Sequence, residues 1–285
     1  MKFAFIREHR RSWPVEVMCR VLKVSRSGFY AWYKRPVSRR SQRNQQLLEK
    51  IRKVYRENQQ RYGSPRVYQA LRIDGELVSR NTIARLMRGA KIRGKCRRRC
   101  VPRTTNSAHE QPVADNLLDR DFAADRPNQK WLADITYIPS EKGWLYLAAV
   151  LDCYSRRIVG WALAEHMETD LVSQALQMAL VQRRPGGDLL HHSDRGSQYA
   201  SDHYRRLLDL RDITVSMSRR GDCYDNAMME SFWATLKCEL IHQQQYATLA
   251  QAQGSIFEYI EVFYNRKRLH SSLGYQSPES FEAAA

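Results

Sequence analysis

The chain has 285 residues, 43% of them hydrophobic, and carries a formal net charge of +17. That length and apolar content predict two or more domains around real cores. The longest apolar run, Trp144 to Leu151, is far too short to span a bilayer, and the basic stretch Met1–Arg11 lacks the apolar centre of a signal peptide, so membrane and secreted classes are excluded in favour of a soluble, intracellular chain.

The charge is uneven. Residues 1–105 hold 29 Lys+Arg against 6 Asp+Glu, whereas residues 106–285 hold 18 against 24. A strongly basic first part joined to a mildly acidic second part points to a polyanion-binding module attached to something different. The six cysteines (19, 96, 100, 153, 223 and 238) show no paired C-x-x-C spacing and no matched histidine pair, and Cys96 and Cys100 flank Arg97, Arg98 and Arg99. Reduced thiols are expected rather than zinc or disulfides.

In chain order, Val15, Val17, Met18, Val21 and Leu22 form an apolar stripe at helical spacing. Ser25 caps a second short helix through Phe29, Tyr30 and Trp32, and Pro36 ends it. This is the outline of a helix-turn-helix over residues 1–40. Leu47, Leu48, Ile51, Val54 and Tyr55 predict a further amphipathic helix. Tyr62-Gly63-Ser64-Pro65 starts the next, with Ser64 as its cap. After the Asp74-Gly75 break, Ser79 caps a helix that carries Arg80, Asn81 and Arg85 on its front and outer face, where a recognition helix keeps the side chains that reach bases and phosphates. Lys91 to Arg103 is a run of cations, with Arg97, Arg98 and Arg99 at its centre, suited to lie along a phosphate backbone. Residues 41–105 thus form a second helix-turn-helix domain with a basic arm. The polar stretch 106–124, with a short amphipathic piece at 116–122, is a linker to a catalytic region at 125–285.

From Trp131 the pattern shifts to strands. Leu132, Asp134, Thr136 and Ile138 share one face, so Asp134 points where apolar neighbours point. A Ser140–Gly143 turn joins this strand to Gly143–Asp152, and Arg157–Ala164 follows. Thr169 or Asp170 caps a helix that closes at Pro185-Gly186-Gly187. Strand Leu189–Ser193 ends at Asp194, the position where open α/β sheets present ligands. A helix from Ser201, a strand at Ile213–Met217 and a polar loop at 219–226 precede the helix of Glu230, whose apolar side is Met229, Phe232, Trp233, Leu236 and Leu240. Lys237 projects in almost the direction of Glu230, about 10 Å further along the axis. A helix at Leu249–Tyr264 leads to Arg266, Lys267 and Arg268. Trp131, Trp144, Trp161 and Trp233 read as core. Three strands, a helix, then strand-helix-strand-helix predict an α/β fold with a mixed sheet.

Asp134, Asp194 and Glu230 cannot all stay ionised side by side without a cation. Hard divalent ions with oxygen ligands turn such a set into a phosphoryl-transfer site. No phosphate loop, dinucleotide fingerprint or nucleophile elbow offers a competing chemistry; His191 and His192 could suggest a base or a metal site, yet one of them must point into the sheet, and a direct catalytic role is not expected of either.

The spacing Asp134, Asp194, 35 residues, Glu230 matches the D, D-35-E pattern of retroviral-type integrases and related transposases. Four segments extend the match: W-x-x-D-I-T-Y-I at 131–138, H-S-D-R-G-S-Q-Y at 192–199, D-N-A-M-M-E-S-F-W-A-T-L-K at 225–237 and Y-N-x-x-R-x-H-S-S-L-G-Y-x-S-P at 264–278. Together with Tyr62-Gly63-Ser64-Pro65-Arg66, they make nearly the whole chain resemble the second-frame protein of a bacterial insertion-sequence transposase. The resemblance implies a ribonuclease-H-like core, a five-stranded mixed sheet with flanking helices behind an all-α helix-turn-helix region. It implies that Asp134, Asp194 and Glu230 bind Mg²⁺ (or Mn²⁺) for 3′-end cleavage and strand transfer. Lys237 is assigned to the DNA end, with Arg80, Asn81, Arg85, Arg97, Arg98, Arg99, Arg266, Lys267 and Arg268 on duplex DNA. A homo-oligomer on DNA, a fusion with an upstream-frame protein and a cytoplasmic, nucleoid-associated location are further expectations. A nuclease of the same fold that cuts without joining, and a DNA-binding regulator over an inert core, are the alternatives.

Overall fold

The computed structural model describes residues 1–95, 113–219 and 222–284, so the expected contacts of Arg97, Arg98 and Arg99 lie outside the described residues. Three short helices lead: α1 (Lys2–His9), α2 (Val15–Val21) and α3 (Arg26–Lys34). Their own small core is Ile6, Met18, Cys19 and Phe29. The expected stripe on α2 is rotated, because Val17 and Val21 face solvent. With only seven residues, α2 buries the two side chains that α1 and α3 can reach, and the apolar residues of α1, Phe3 to Ile6, are consecutive and so show no helical period. Ser25 caps α3 as expected, its Oγ accepting from Gly28 N at 3.0 Å.

Helices α4 (Arg39–Glu57), α5 (Ser64–Ile73) and α6 (Arg80–Gly89) follow. Ser79 caps α6, accepting from Thr82 N. The cap of α5 is Gly63, one residue before the expected Ser64, which places Pro65 in the first turn, where its missing N–H costs nothing. Leu47, Ile51 and Val54 of α4, Val67 and Leu71 of α5, and Ile83 and Met87 of α6 form one continuous cluster with one side of the sheet and the helices that cover it.

The sheet has five strands in the order β3-β2-β1-β4-β5: β1 (Lys130–Ser140), β2 (Gly143–Asp152), β3 (Ile158–Ala164), β4 (Leu190–Ser193) and β5 (Thr214–Met217). The first three pair antiparallel, and β4 lies parallel to both β1 and β5. Gly143, at φ +125°, makes the β1–β2 turn that an L side chain would strain. One face packs Trp131, Ala133, Ala148 and Val150 against α7 (Thr169–Arg183), α8 (Ser197–Ala200) and α9 (Asp202–Asp209). The opposite face packs Leu132, Ile138, Leu147 and Leu151 against α10 (Ala227–Glu239), α11 (Leu249–Phe257) and the π-helical turns of Glu258–Tyr264 that continue it. A short α12 (Pro278–Ala283) closes the described chain. This is the ribonuclease-H-like arrangement that the resemblance implied.

Two further expectations fail locally, at the cap of α7 and at Trp144. The cap of α7 is Glu168, not Thr169 or Asp170. The amphipathic piece 116–122 is a turn: Asp119 and Arg120 adopt positive φ, and Asn116 Oδ1 accepts from Asp119 N. This stretch lies on the sheet rather than swinging free: Leu118 is buried, and Ser216 Oγ accepts from the backbone N–H groups of both Leu117 and Leu118. Trp144 is 58% exposed, because it sits next to the hairpin tip, beyond the reach of α7.

Candidate active site

Asp134 lies on β1 and Asp194 follows the end of β4. The parallel register sets Ala133 opposite Ser193, so the two acids leave neighbouring strands side by side. Alternation along β1 turns Asp134 to the α10 face together with Leu132 and Ile138. There its Oδ2 accepts from the indole Nε1 of Trp233 at 2.9 Å, and its Oδ1 accepts from the backbone N–H of Ile135 at 2.8 Å. Glu230 occupies the first turn of α10, where the helix dipole favours an anion, and it is exposed.

Electrostatics connects the three. Burial, then the neighbouring Asp194 charge, push the Asp134 carboxyl up to about 8; Glu230 adds to the rise, while the Trp233 and Ile135 donors oppose it. A carboxylic acid raised by burial and by neighbouring acids marks a site where a cation would relieve the like-charge repulsion. The donors are all carboxylate oxygens, the set hard divalent ions prefer. Among the described residues, no three His, Cys, Asp or Glu side chains are drawn together tightly enough to form a ready-made metal cage. Asp134 and Asp194 form the close pair, with Glu230 at the open edge.

The supporting contacts are specific. Asp194 Oδ1 accepts from Gly196 N at 3.0 Å, which folds the turn after β4 back on the acid. Asn226, just before α10, donates from Nδ2 to the carbonyl of Ala133 at 3.2 Å and so pins the start of the Glu230 helix beside Asp134. Asp225, fully buried, accepts from Arg219 Nε and Nη2, Arg120 Nε and Asn116 Nδ2. These donors, Arg219 foremost, hold its carboxyl far below the ordinary carboxylate range. Residues 219 and 222–226, read from sequence as a polar loop, are thus tied at Asp225 to the strand-capping stretch 116–120.

His191 and His192 are both buried on β4. His191 contacts the Tyr204 hydroxyl at 3.0 Å, while His192 contacts Ser216 Oγ at 2.8 Å and Ser218 Oγ at 3.0 Å. Burial depresses the first to about 3 and the second to about 4, so both are neutral at physiological pH and serve the sheet.

The cations fall into two groups. Arg80, Asn81 and Arg85 on α6, with Arg266 and Lys267, are exposed; Lys237 lies half-buried in the last turn of α10. Arg268 corrects the sequence reading. It is only 4% exposed, and its guanidinium grips both oxygens of Glu239, with Nη2 at 2.7 Å from Oε1 and Nε at 3.0 Å from Oε2. The chain turns after Lys267, directing this side chain inward rather than towards DNA. Sequence reasoning also missed Trp233, assigned to the core alone. Its place three residues after Glu230, on the same helical face, was the signal that its N–H could meet an acid of the site.

Comparison with known proteins identifies the family of the chain. A family model described as an integrase core domain matches residues 124–223, a second of that description matches 211–278, and an HTH-like domain matches 42–99. The transposase InsF of insertion sequence IS3A from Escherichia coli K12 is 42% identical over 284 residues, covering 99% of this chain and 98% of its own. A 31 kDa protein of insertion element IS600 from Shigella sonnei is 45% identical over 264 residues, covering 93% and 97%. Among solved structures, the magnesium complex of the HTLV-2 integrase catalytic core is similar at 13% identity and TM-score 0.44, covering 56% of this chain and 99% of that one. With identity sustained from end to end and an integrase core around its acids, the chain belongs to the IS3-type insertion-sequence transposases.

Proposed function

We propose that this chain cleaves the 3′ ends of its insertion element and joins them to target DNA, using Asp134, Asp194 and Glu230 as ligands for Mg²⁺ or Mn²⁺. The observation that carries this reading is the register that sets Asp134 and Asp194 on paired strands, with the Asp134 carboxyl raised by burial first and then by the charges of Asp194 and Glu230. When bound, the metal lowers the barrier by activating the attacking oxygen and stabilising the leaving one. The chain's own residues do the rest. Trp233 and the Ile135 N–H hold Asp134 as an oriented anion, the Gly196 N–H fixes Asp194, and Asn226 sets the height of Glu230 above β1.

In this reading residues 1–40 and 41–105 grip duplex DNA, 106–124 connect, and 125–285 catalyse. Arg80, Asn81 and Arg85 meet base edges and phosphates, the arm around Arg97, Arg98 and Arg99 follows the backbone, and Lys237, Arg266 and Lys267 meet the DNA end. The working enzyme is a homo-oligomer on DNA, made in the bacterial cytoplasm at the nucleoid and available as a fusion with an upstream-frame protein. Among the described residues no helix is long and apolar enough to cross a membrane.

Labelled element ends incubated with the chain, a target plasmid and Mg²⁺ test the reading. It predicts nicked ends followed by joined products; binding without cleavage would overturn it.

A further inference from the structure

Helix α10 carries Glu230 in its first turn and ends, nine residues later, on Glu239. Glu239 is buried, yet it is an anion among cations from three parts of the chain. Arg268 grips both of its oxygens, the Tyr259 hydroxyl donates to Oε2 at 3.0 Å, and Arg66 of α5 approaches Oε1 at 3.6 Å. Lys95, just after α6, donates to the Glu239 carbonyl at 3.2 Å. Arg61 lies over the rings of Phe263 and Tyr259 at 4.2 and 4.8 Å.

The backbone on the far side is held as closely. Tyr62, 1% exposed, donates its hydroxyl to the carbonyl of Lys267 at 3.2 Å and accepts from the N–H of Leu269 at 2.9 Å. Arg66 Nε donates to the carbonyl of Leu269 at 2.9 Å. The segment leaving α6 crosses so near that a Cβ on Gly94 would meet Gly63 N at 2.4 Å, which only glycine permits. Partners about 200 residues apart in sequence are therefore interlocked by buried, directional bonds, which lose their geometry if either side shifts. None of these groups belongs to the acidic site.

We propose that Arg66 and Arg268, gathered on Glu239, and Tyr62, bonded to the 267–269 backbone, are positioning residues that lock the DNA-binding helices α4–α6 to the helix bearing Glu230, so that the place where those helices grip the element end fixes which phosphodiester is cut. This rests on the end-cleavage reading above. The joint makes binding and cutting one rigid measurement along the DNA.

The test compares the full-length chain with its Tyr62→Phe/Arg66→Gln variant, which keeps the ring and most of the side-chain volume while removing the bonds to the 267–269 backbone. Hydrogen exchange is followed in α5 and in the last two turns of α10, and cleavage is mapped at nucleotide resolution on a labelled element end. The joint predicts at least tenfold faster exchange confined to those two segments, duplex affinity within about twofold of the parent, and cuts scattered over neighbouring phosphodiesters. Arg66→Lys, which keeps the charge, should restore part of the precision. Unchanged exchange with cuts at the single parental position would overturn the proposal, as would faster exchange throughout the chain. If the parent itself cuts no element end, the end-cleavage reading fails, and the exchange data still decide whether the joint exists.

Discussion

The indole of Trp233 and the carboxylate of Asp134 face each other across 2.9 Å, a contact between the Glu230 helix and the central strand. The N–H donates to the anionic form of an acid that its surroundings push towards protonation. Trp233→Phe keeps a ring and removes only this donor and one ring's width. A hydrogen bond to a charged group is worth about 1.5–3 kcal/mol, so Mn²⁺ affinity near neutral pH should fall roughly tenfold or more. The acid limb of the activity profile should also move to higher pH. Isothermal titration with Mn²⁺ measures the first effect; unchanged affinity would remove Trp233 from the site's support.

Asp134 also makes a prediction about the metal-free protein. Its folded carboxyl titrates at about 8, above the unfolded value, so the native state binds more protons than the unfolded state between roughly pH 4 and 8. Its contribution therefore favours folding at low pH and is lost as pH rises through about 8. Asp134→Asn should raise the metal-free melting temperature at pH 8 and change it little at pH 4. Saturating Mg²⁺ should stabilise the parent and leave the variant unmoved. Melting curves at the two pH values, with and without EDTA, check all three.

Asp225 carries the opposite sign. Arg219 and Arg120 hold its carboxyl well below the ordinary range, so its stabilisation is complete above about pH 4 and lost as pH falls further. Asp225→Asn removes the buried one of the two acids, Asp225 and Asp222, that Arg219 and Arg120 share, and should lower stability at pH 7. The gap between variant and parent should narrow towards pH 3. A gap that stayed constant would mean that packing, not charge, sets the position of the residues before α10.

The exposed face of α6 predicts a salt effect. Arg80→Ala and Arg85→Ala should each weaken binding to any duplex and reduce the slope of log affinity against log salt by about 0.9 per lost phosphate contact. Asn81→Ala should change sequence preference with little effect on that slope. Binding isotherms at several salt concentrations separate the two roles.

Much of the site was legible in the chain because its acids sit on elements with clean periodicity. Asp134 interrupts an alternating strand, Asp194 ends an apolar one, and Glu230 lies on a helix whose buried side, Met229, Phe232 and Leu236, was plain. What stayed hidden depends on contacts distant in sequence. Arg268 reads as one of three adjacent cations, and only the placement of Glu239 turns it inward. Tyr62 and Leu269 share a hydrogen bond across 207 positions, a pairing that no local pattern encodes. Trp144 reads as core because it begins an apolar strand, yet the hairpin carries it past the helices that would cover it. Helix α1 was missed because its apolar residues, Phe3 to Ile6, are consecutive rather than spaced by a helical turn, and Ile6 alone among them is buried.

The central claim is that Asp134, Asp194 and Glu230 act together on DNA. Asp194→Asn tests it most directly, since it exchanges one oxygen for a nitrogen in a turn otherwise fixed by Gly196. In a strand-transfer assay with labelled element ends, target DNA and Mg²⁺, the parent should yield joined products. The variant should bind the ends with parental affinity and join them at least about a thousandfold more slowly. Joining by Asp194→Asn at a rate near that of the parent would contradict the account.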